Sequence, residues 1–286
     1  MIKISGSILV FLGAVFWSLN APLIKYLVLD PYLMCGLRSS IAGLALAAFI
    51  RPRQMKWNLW TLLYTGSYCA LSMTIILALK MTTSPVAIGM QYTAIIWLFL
   101  LQWGSTGKFN GRSFIPVCII LIGVALFMCS GTGGTDSMGN LIALSEGVFF
   151  AGMTVGAKKA AGTNPLGLTA VGNLFTGLII LSMFPASTAT VVTMGAKEWI
   201  IILILGVVQQ GCGYAFYNMG VQRVTPQKAS ILALWEMILG PFWVAVFLHE
   251  KPASMVLLGF VIILGGMLLD ALLGKTTAEE QPAEIK

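Results

Sequence analysis

Apolar residues fill long stretches of this chain, and polar residues are largely confined to the gaps between them. A helix that crosses a bilayer needs about 20 mainly apolar residues. Ten stretches fit: 4–24, 32–50, 58–79, 85–103, 113–130, 138–157, 166–185, 198–219, 229–248 and 253–273. The gaps are short and carry turn chemistry: "RPRQMK" at 51–56, "GSTGKFNGR" at 104–112, "GTGGTDSMGN" at 131–140, "GTNP" at 162–165 and "HEKP" at 249–252. The pattern predicts an all-α polytopic membrane protein with ten transmembrane helices, numbered 1 to 10 here in chain order. The polar stretch "GKTTAEEQPAEIK" follows, and residues 275–286 read as a disordered cytoplasmic tail. The N-terminal apolar stretch carries no convincing cleavage site and reads as a retained first helix.

Composition supports the membrane reading. The chain is 58% hydrophobic and 9% charged, whereas a soluble domain carries roughly 25% charged residues. There is too little charge to cover a water-facing surface. The net charge of +7 would suit nucleic acid, but the Lys and Arg residues cluster between apolar stretches, where topology accounts for them. With the N-terminus in the cytoplasm, that side collects Lys3, Arg51, Arg53, Lys56, Lys108, Arg112, Lys158, Lys159, Arg223, Lys228, Lys275 and Lys286. The outer side collects only Lys25, Lys80, Lys197 and Lys251. Ten helices put both termini in the cytoplasm, with the chain in a cell's inner or plasma membrane. The cysteines, Cys35, Cys69, Cys118, Cys129 and Cys212, all fall inside apolar stretches without ligand spacing. They read as small buried hydrophobes, not as disulfides or a zinc site.

The two halves resemble each other weakly. "VFWSLNAPLIK" (15–25) is similar to "VFFAGMTVGAK" (148–158), and "KMTTSPVAIG" (80–89) to "QRVTPQKASI" (222–231). These matches set helix 1 against helix 6, and helices 3 and 4 against helices 8 and 9. The repeats span 1–133 and 134–274, with five helices each. Five is odd, so two like halves enter the membrane with opposite orientation, the inverted-repeat design of many secondary transporters.

The ordered set of local motifs resembles the EamA branch of the drug/metabolite transporter superfamily. "GAVFWSLNAPLIK" is similar to the family's helix 1, "LRSSIAGLALA" to its helix 2 with an intramembrane Arg (here Arg38), and "ALKMTTSPVAIGM" to its helix 3–4 junction. "LWEMILGPFWVAVFLHEKP" is similar to its helix 9, with Glu236, Pro241 and Glu250 in place. The resemblance covers residues 4–273. His249 stands where the family usually has Gly, and the first-half counterpart "LFLLQWGSTGK" lacks the acidic residue. The resemblance implies transport of small molecules, commonly export of amino acids, metabolites or drugs.

Two carboxyl groups fall at mid-depth, Glu236 in helix 9 and Glu146 in helix 6. Intramembrane charge is expensive and usually functional. Either group offers a place to bind a substrate amine or carry a proton; the alternative is a hydrogen-bonded tie between helices. The repeat offsets put Gly13 opposite Glu146 and Ala94 opposite Glu236, so the chemistry is lopsided towards the second half. Arg38 keeps its charge and needs carbonyls, water or a carboxylate, which suggests architecture or gating. Trp17 and Asn20 in helix 1, Tyr64 and Tyr68 in helix 3, Gln91 and Tyr92 in helix 4, and Gln210, Tyr214 and Tyr217 in helix 8 recur at helical spacing or adjoin, with Trp235 in helix 9. They are candidate lining for a small amphipathic substrate, with stacking or cation–π contacts; ordinary packing is the plainer reading. Gly152 and Gly156 have close-packing spacing. Pro22, Pro241, Gly211 and Gly213 are candidate bends or hinges.

No P-loop, HExxH or CxxC motif occurs, and one histidine does not build a histidine metal site. No cofactor and no enzyme activity are expected. The leading expectation is a secondary transporter, an exporter working by alternating access, with the bilayer, a small-molecule substrate and protons as partners. One chain can enclose the path, so a monomer suffices. The competing readings are a nucleotide-sugar or phosphorylated-metabolite exchanger, an intramembrane enzyme, and a lipid scramblase or structural membrane protein.

Overall fold

The computed structural model describes residues 5–107, 109, 111–129, 135–160, 162–224, 226–249 and 254–279. Lys3, Lys108, Glu250, Lys251 and Lys286, which entered the sequence argument, lie outside the described residues. Those described form helices and turns, with no strand among them.

Predicted helix 1 is two pieces, α1 (Gly6–Ser18) and α2 (Asn20–Tyr26). Pro22 explains the break. It has no N–H to give to the carbonyl four residues back, on Ser18, and the chain turns at Leu19 between them. α3 (Pro31–Leu46) starts behind Asp30, whose carboxylate accepts from the Tyr32 and Leu33 N–H groups at 3.0 Å. α4 (Leu59–Met81) starts on a reciprocal cap between Asn58 and Thr61. Predicted helix 4 is also split, into α5 (Ser84–Gln91) and α6 (Ala94–Thr106). Here no proline lies at the break; Tyr92 and Thr93 make tight i→i−3 bonds to Gly89 and Met90 instead.

α7 (Gly111–Cys129), α8 (Thr135–Lys159) and α9 (Pro165–Met183) are single helices. Predicted helix 8 runs as α10 (Ala196–Leu203), a π-helical stretch Ile204–Cys212, and α11 (Gly213–Val221). α12 (Pro226–Leu248) and α13 (Ser254–Glu279) complete the chain. Pro241 lies inside α12 without ending it. α13 continues through Gly274 to Glu279, past the expected start of the tail at residue 275. Residues 280–286 lie outside the described residues.

Among the described residues, seven helical stretches are long and apolar enough to cross a membrane. Phe114–Leu126, Trp235–Leu248 and Ser254–Leu269 are shorter apolar helices. Large apolar side chains such as Leu62, Leu178 and Phe247 are more than 60% exposed, as a lipid-facing surface requires. The main helix contacts join the two halves. α4 lies along α8, α3 along α9, α7 along α13, and α1 against α11 and α12. Small residues permit this approach: a Cβ added at Gly156 of α8 would sit 2.7 Å from the Tyr64 backbone nitrogen of α4. Gly152 likewise faces Ser67. This interlocking encloses an interior with buried Arg38, Glu146, Glu236, Gln209, Gln210, Asn173 and Asn218.

Candidate functional site

The interior has a carboxyl end and a guanidinium end. At the first, Glu236 of α12 accepts a hydrogen bond from the Tyr92 hydroxyl at 2.8 Å and from the Gln91 amide at 3.4 Å. Tyr92 also reaches the Ala233 carbonyl at 2.9 Å. Gln91 and Tyr92 sit where α5 gives way to α6, so the break in this helix and the hold on Glu236 occupy the same place. Glu146 of α8 is fully buried and within electrostatic range of Glu236. Among the described residues neither of its oxygens has a hydrogen-bond partner. A buried carboxyl without donors is costly, and more so beside a second one.

At the other end Arg38 of α3 is 2% exposed and donates to Asn20 Oδ1 at 2.7 Å, to the Ser72 carbonyl at 3.0 Å and to the Ser72 hydroxyl at 3.2 Å. Its Nε–H is unpartnered among the described residues. All its hydrogen-bond acceptors are neutral. Gln210, carried by the π-helical stretch, places its amide nitrogen 2.8 Å from Ser39 Oγ, 3.2 Å from Ser72 Oγ and 2.9 Å from Asn173 Oδ1. The Asn218 amide donates to the Tyr64 hydroxyl at 2.9 Å and to Thr169 Oγ1 at 2.8 Å. These bonds tie α3, α4 and α9 to the segment that runs from the π-helical stretch into α11.

Aromatic rings separate the two ends. The Trp17 ring lies 4.7 Å from Tyr214, 4.6 Å from Tyr217 and 6.4 Å from Phe150 between centroids. Phe150 lies 6.0 Å from Tyr92, and Tyr214 meets Tyr68 at 4.7 Å. The Tyr214 hydroxyl stands in electrostatic range of Glu236, Glu146 and Arg38 at once. Gly213 allows this arrangement, since a Cβ there would sit 2.7 Å from the Trp17 ring. Gly211 belongs to the π-helical stretch.

Of the candidate residues, Trp17, Asn20, Arg38, Tyr68, Gln91, Tyr92, Glu146, Gln210, Tyr214 and Glu236 all come together in the buried interior. Trp235 does not. It is 44% exposed and packs edge-on against Phe11 at 5.7 Å, because the adjacent Glu236 takes the inward face of α12. Ser39, Ser72, Phe150, Thr169 and Asn173 join the interior and were not singled out from the sequence. Asn173 had a usable signal, a lone amide within the apolar run "VGNLFTG"; the Ser and Thr residues had none that separates them from ordinary helix packing.

A separate cavity of about 200 Å³ lies between α5, α12 and α13, lined by Ser84, Pro85, Pro241, Phe242, Val244, Ala245, Leu257 and Phe260. Its lining is almost wholly apolar and shares no residue with the carboxyl or guanidinium ends.

Comparison with curated proteins gives no match. Among solved structures, one crystal structure of a protein at 17% sequence identity superposes with a TM-score of 0.66, over 94% of this chain and 98% of its own. That likeness concerns the fold. The model of the EamA-like transporter family matches residues 4–129 and again residues 137–270. Two copies thus cover nearly the whole membrane-embedded chain, and both buried carboxyls, Glu146 and Glu236, lie in the second: the chain belongs to the EamA-like transporter family.

Proposed function

We propose that the protein is a secondary transporter that exports small amphipathic metabolites, such as amino acids or drugs, by alternating access around the buried interior. The observation that carries this is the position of Glu236 and Glu146 inside a multi-helix bundle, on two different helices, next to a wall of aromatic rings. Buried carboxyls in a membrane protein mark pathways for substrates or protons.

The proposed architecture is ten spans in two inverted repeats, residues 1–133 and 134–274, with both termini cytoplasmic and the chain in the inner membrane. Helix packing supports it. Exchanging the halves turns the α4–α8 contact into the α11–α1 contact, and the α1–α12 contact into α8–α5. The α3–α9 and α7–α13 contacts map onto themselves. A bundle with that exchange property has two nearly equivalent arrangements, opening to opposite sides. The excess of Lys and Arg on one set of connections supports the orientation.

Counterflow in proteoliposomes tests the function, with a panel of amino acids, nucleosides and organic cations at two pH values. Wild type, Glu236→Gln and Tyr92→Phe run in parallel. Loss of pH dependence alone in Glu236→Gln identifies a coupling group; loss at every pH in folded protein identifies a binding group. Unchanged binding and transport in Glu236→Gln would sink the role assigned to this carboxyl.

A further inference from the structure

Away from the buried interior, α3, α4, α8 and α9 meet at a corner where two connections run side by side, one from α3 to α4 and one from α8 to α9. Hydrogen bonds stitch the two together. The Asn164 N–H donates to the Gln54 carbonyl at 3.1 Å, and the Asn164 side-chain amide donates to the Phe49 carbonyl at 3.0 Å. The corner carries Arg51, Arg53, Lys56, Lys158 and Lys159, all exposed. No acidic residue accompanies them. The chain has no Asp or Glu between Asp30 and Asp136, nor between Glu146 and Glu198. Asp30 caps the opposite end of α3, Asp136 lies in the first turn of α8, and Glu146 is buried midway along α8. A surface of one sign that its own chain leaves uncompensated draws the opposite charge from outside.

Basic connections occur in membrane proteins for topology alone, but two of these side chains are held in place. The Lys159 ammonium sits 4.1 Å from the centroid of the Trp60 ring. The Lys56 ammonium lies over Gly162, so close that a Cβ there would approach it to 2.8 Å. Gly162 also has φ 87°, which favours glycine. Neither ammonium group donates a hydrogen bond among the described residues, so both keep donors for an outside acceptor. Apolar surface continues from the cations. Trp57, Leu59 and Leu62 are each 65% exposed or more. Leu59, Leu62 and Gly66 follow one stripe of α4. A Cβ at Gly66 would meet nothing within 4 Å, so the stripe opens into a shallow groove. Fixed cations at the head of an apolar groove match an amphipathic anion; a soluble anion would use the cations alone.

We propose that this corner binds an anionic phospholipid, its headgroup phosphate held by Lys56 and Lys159 and an acyl chain laid along Leu59, Leu62 and Gly66. One lysine comes from each half of the chain, so the lipid bridges the two repeats. The assignment does not depend on the transport reading.

Native mass spectrometry of the full-length protein tests this, from micelles holding equal amounts of phosphatidylglycerol and phosphatidylcholine with the same acyl chains. The expected result is retention of phosphatidylglycerol over phosphatidylcholine by roughly tenfold or more. Lys56→Gln combined with Lys159→Gln lowers that preference by about tenfold, whereas Lys56→Arg combined with Lys159→Arg keeps it within about threefold. Lys108→Gln combined with Lys228→Gln removes the same charge from other connections and leaves the preference within about twofold. Melting temperature reports whether each variant is folded. Equal retention of the two lipids by wild type overturns the proposal, as does an undiminished preference in the folded Gln pair at Lys56 and Lys159. A loss of the same size in the Lys108 and Lys228 pair also overturns it, because total charge then decides. An excess of inorganic phosphate separates the two sources of the anion: lipid that stays bound supports the proposal, and lipid that is displaced marks a soluble-anion site and overturns it.

Discussion

Lys25 and Lys80 form a reciprocal clasp between α2 and α4. The Lys25 ammonium donates to the Thr82 carbonyl at 3.0 Å, and the Lys80 ammonium donates to the Leu27 carbonyl. Leu27 and Thr82 are the residues that end α2 and α4, so each lysine caps the other's helix. Helix C-termini carry unpaired carbonyls and partial negative charge, which favours this arrangement. Thr82 in turn donates its hydroxyl to Asn140 of α8 at 2.6 Å, extending the clasp to a third helix. A hydrogen bond from a charged donor contributes about 1.5–3 kcal/mol when buried. Both lysines are only half-buried, so about 1 kcal/mol each is the appropriate figure after solvent screening. The two together favour contact between these helix ends by about 2 kcal/mol, or roughly 30-fold in population over a separated arrangement. Replacing either lysine with Met keeps the stem and removes the bond. Each single variant is expected to shift the population by roughly fivefold, and the double variant by roughly 30-fold. Spin labels at Val28 and Leu141, both exposed and close to the clasp, report the separation by pulsed dipolar spectroscopy. The double variant should populate a longer distance. A distance distribution that superposes on that of the unsubstituted clasp would refute the reasoning.

Further predictions follow from single positions. His249 has φ 54°, a left-handed conformation that costs an L-residue roughly 1–2 kcal/mol, so His249→Gly is expected to raise stability by about 1 kcal/mol in chemical denaturation. A smaller gain than about 0.3 kcal/mol would mean that the His side chain offsets the backbone strain. Gly156→Ala pushes a methyl group against the α4 backbone and should lower stability by about 1–3 kcal/mol, visible as a reduced melting temperature. Trp235→Leu alters an exposed ring and should leave counterflow within about twofold of wild type; a large loss would place this side chain in the pathway after all.

The helical rods were largely legible, because a bilayer selects for one crude property, a long apolar run. Their interruptions were legible only in part. Pro22 flagged the break at Leu19, since a missing N–H acts locally. The break at Tyr92–Thr93 has no such residue; Tyr92 is held across the bundle by Glu236 and Ala233, and tertiary pull of that kind leaves no mark on the local sequence. Gly211 and Gly213 suggest a bend from the sequence; Gly211 lies in the π-helical stretch and Gly213 opens α11. The π-helical stretch carries Gln210 to Ser39, Ser72 and Asn173, partners 37 to 171 residues away in the chain. The site's charged members were legible because charge in an apolar run stands out. Its hydroxyl partners were not, since Ser and Thr also serve plain helix packing. Trp235 faces outward for a simple reason: adjacent residues on a helix point about 100° apart, and Glu236 takes the inward direction.

The cross-half packing has a consequence for biogenesis. α1, α3, α4 and α7 find their principal partners in α11, α12, α9, α8 and α13 rather than among themselves. During synthesis the first half enters the bilayer well before most of those partners exist. Gly36, Gly43 and Gly123, whose close neighbours lie on α9 and α13, must wait with lipid at their surfaces. Arg38 meets Asn20 and Ser72 early, but Gln210, which closes the Ser72 and Ser39 network, arrives about 170 residues later. The small-residue faces of the nascent first half therefore stay unpacked until the second half is made. A gene split between α7 and α8 would yield two fragments that are stable together and short-lived apart.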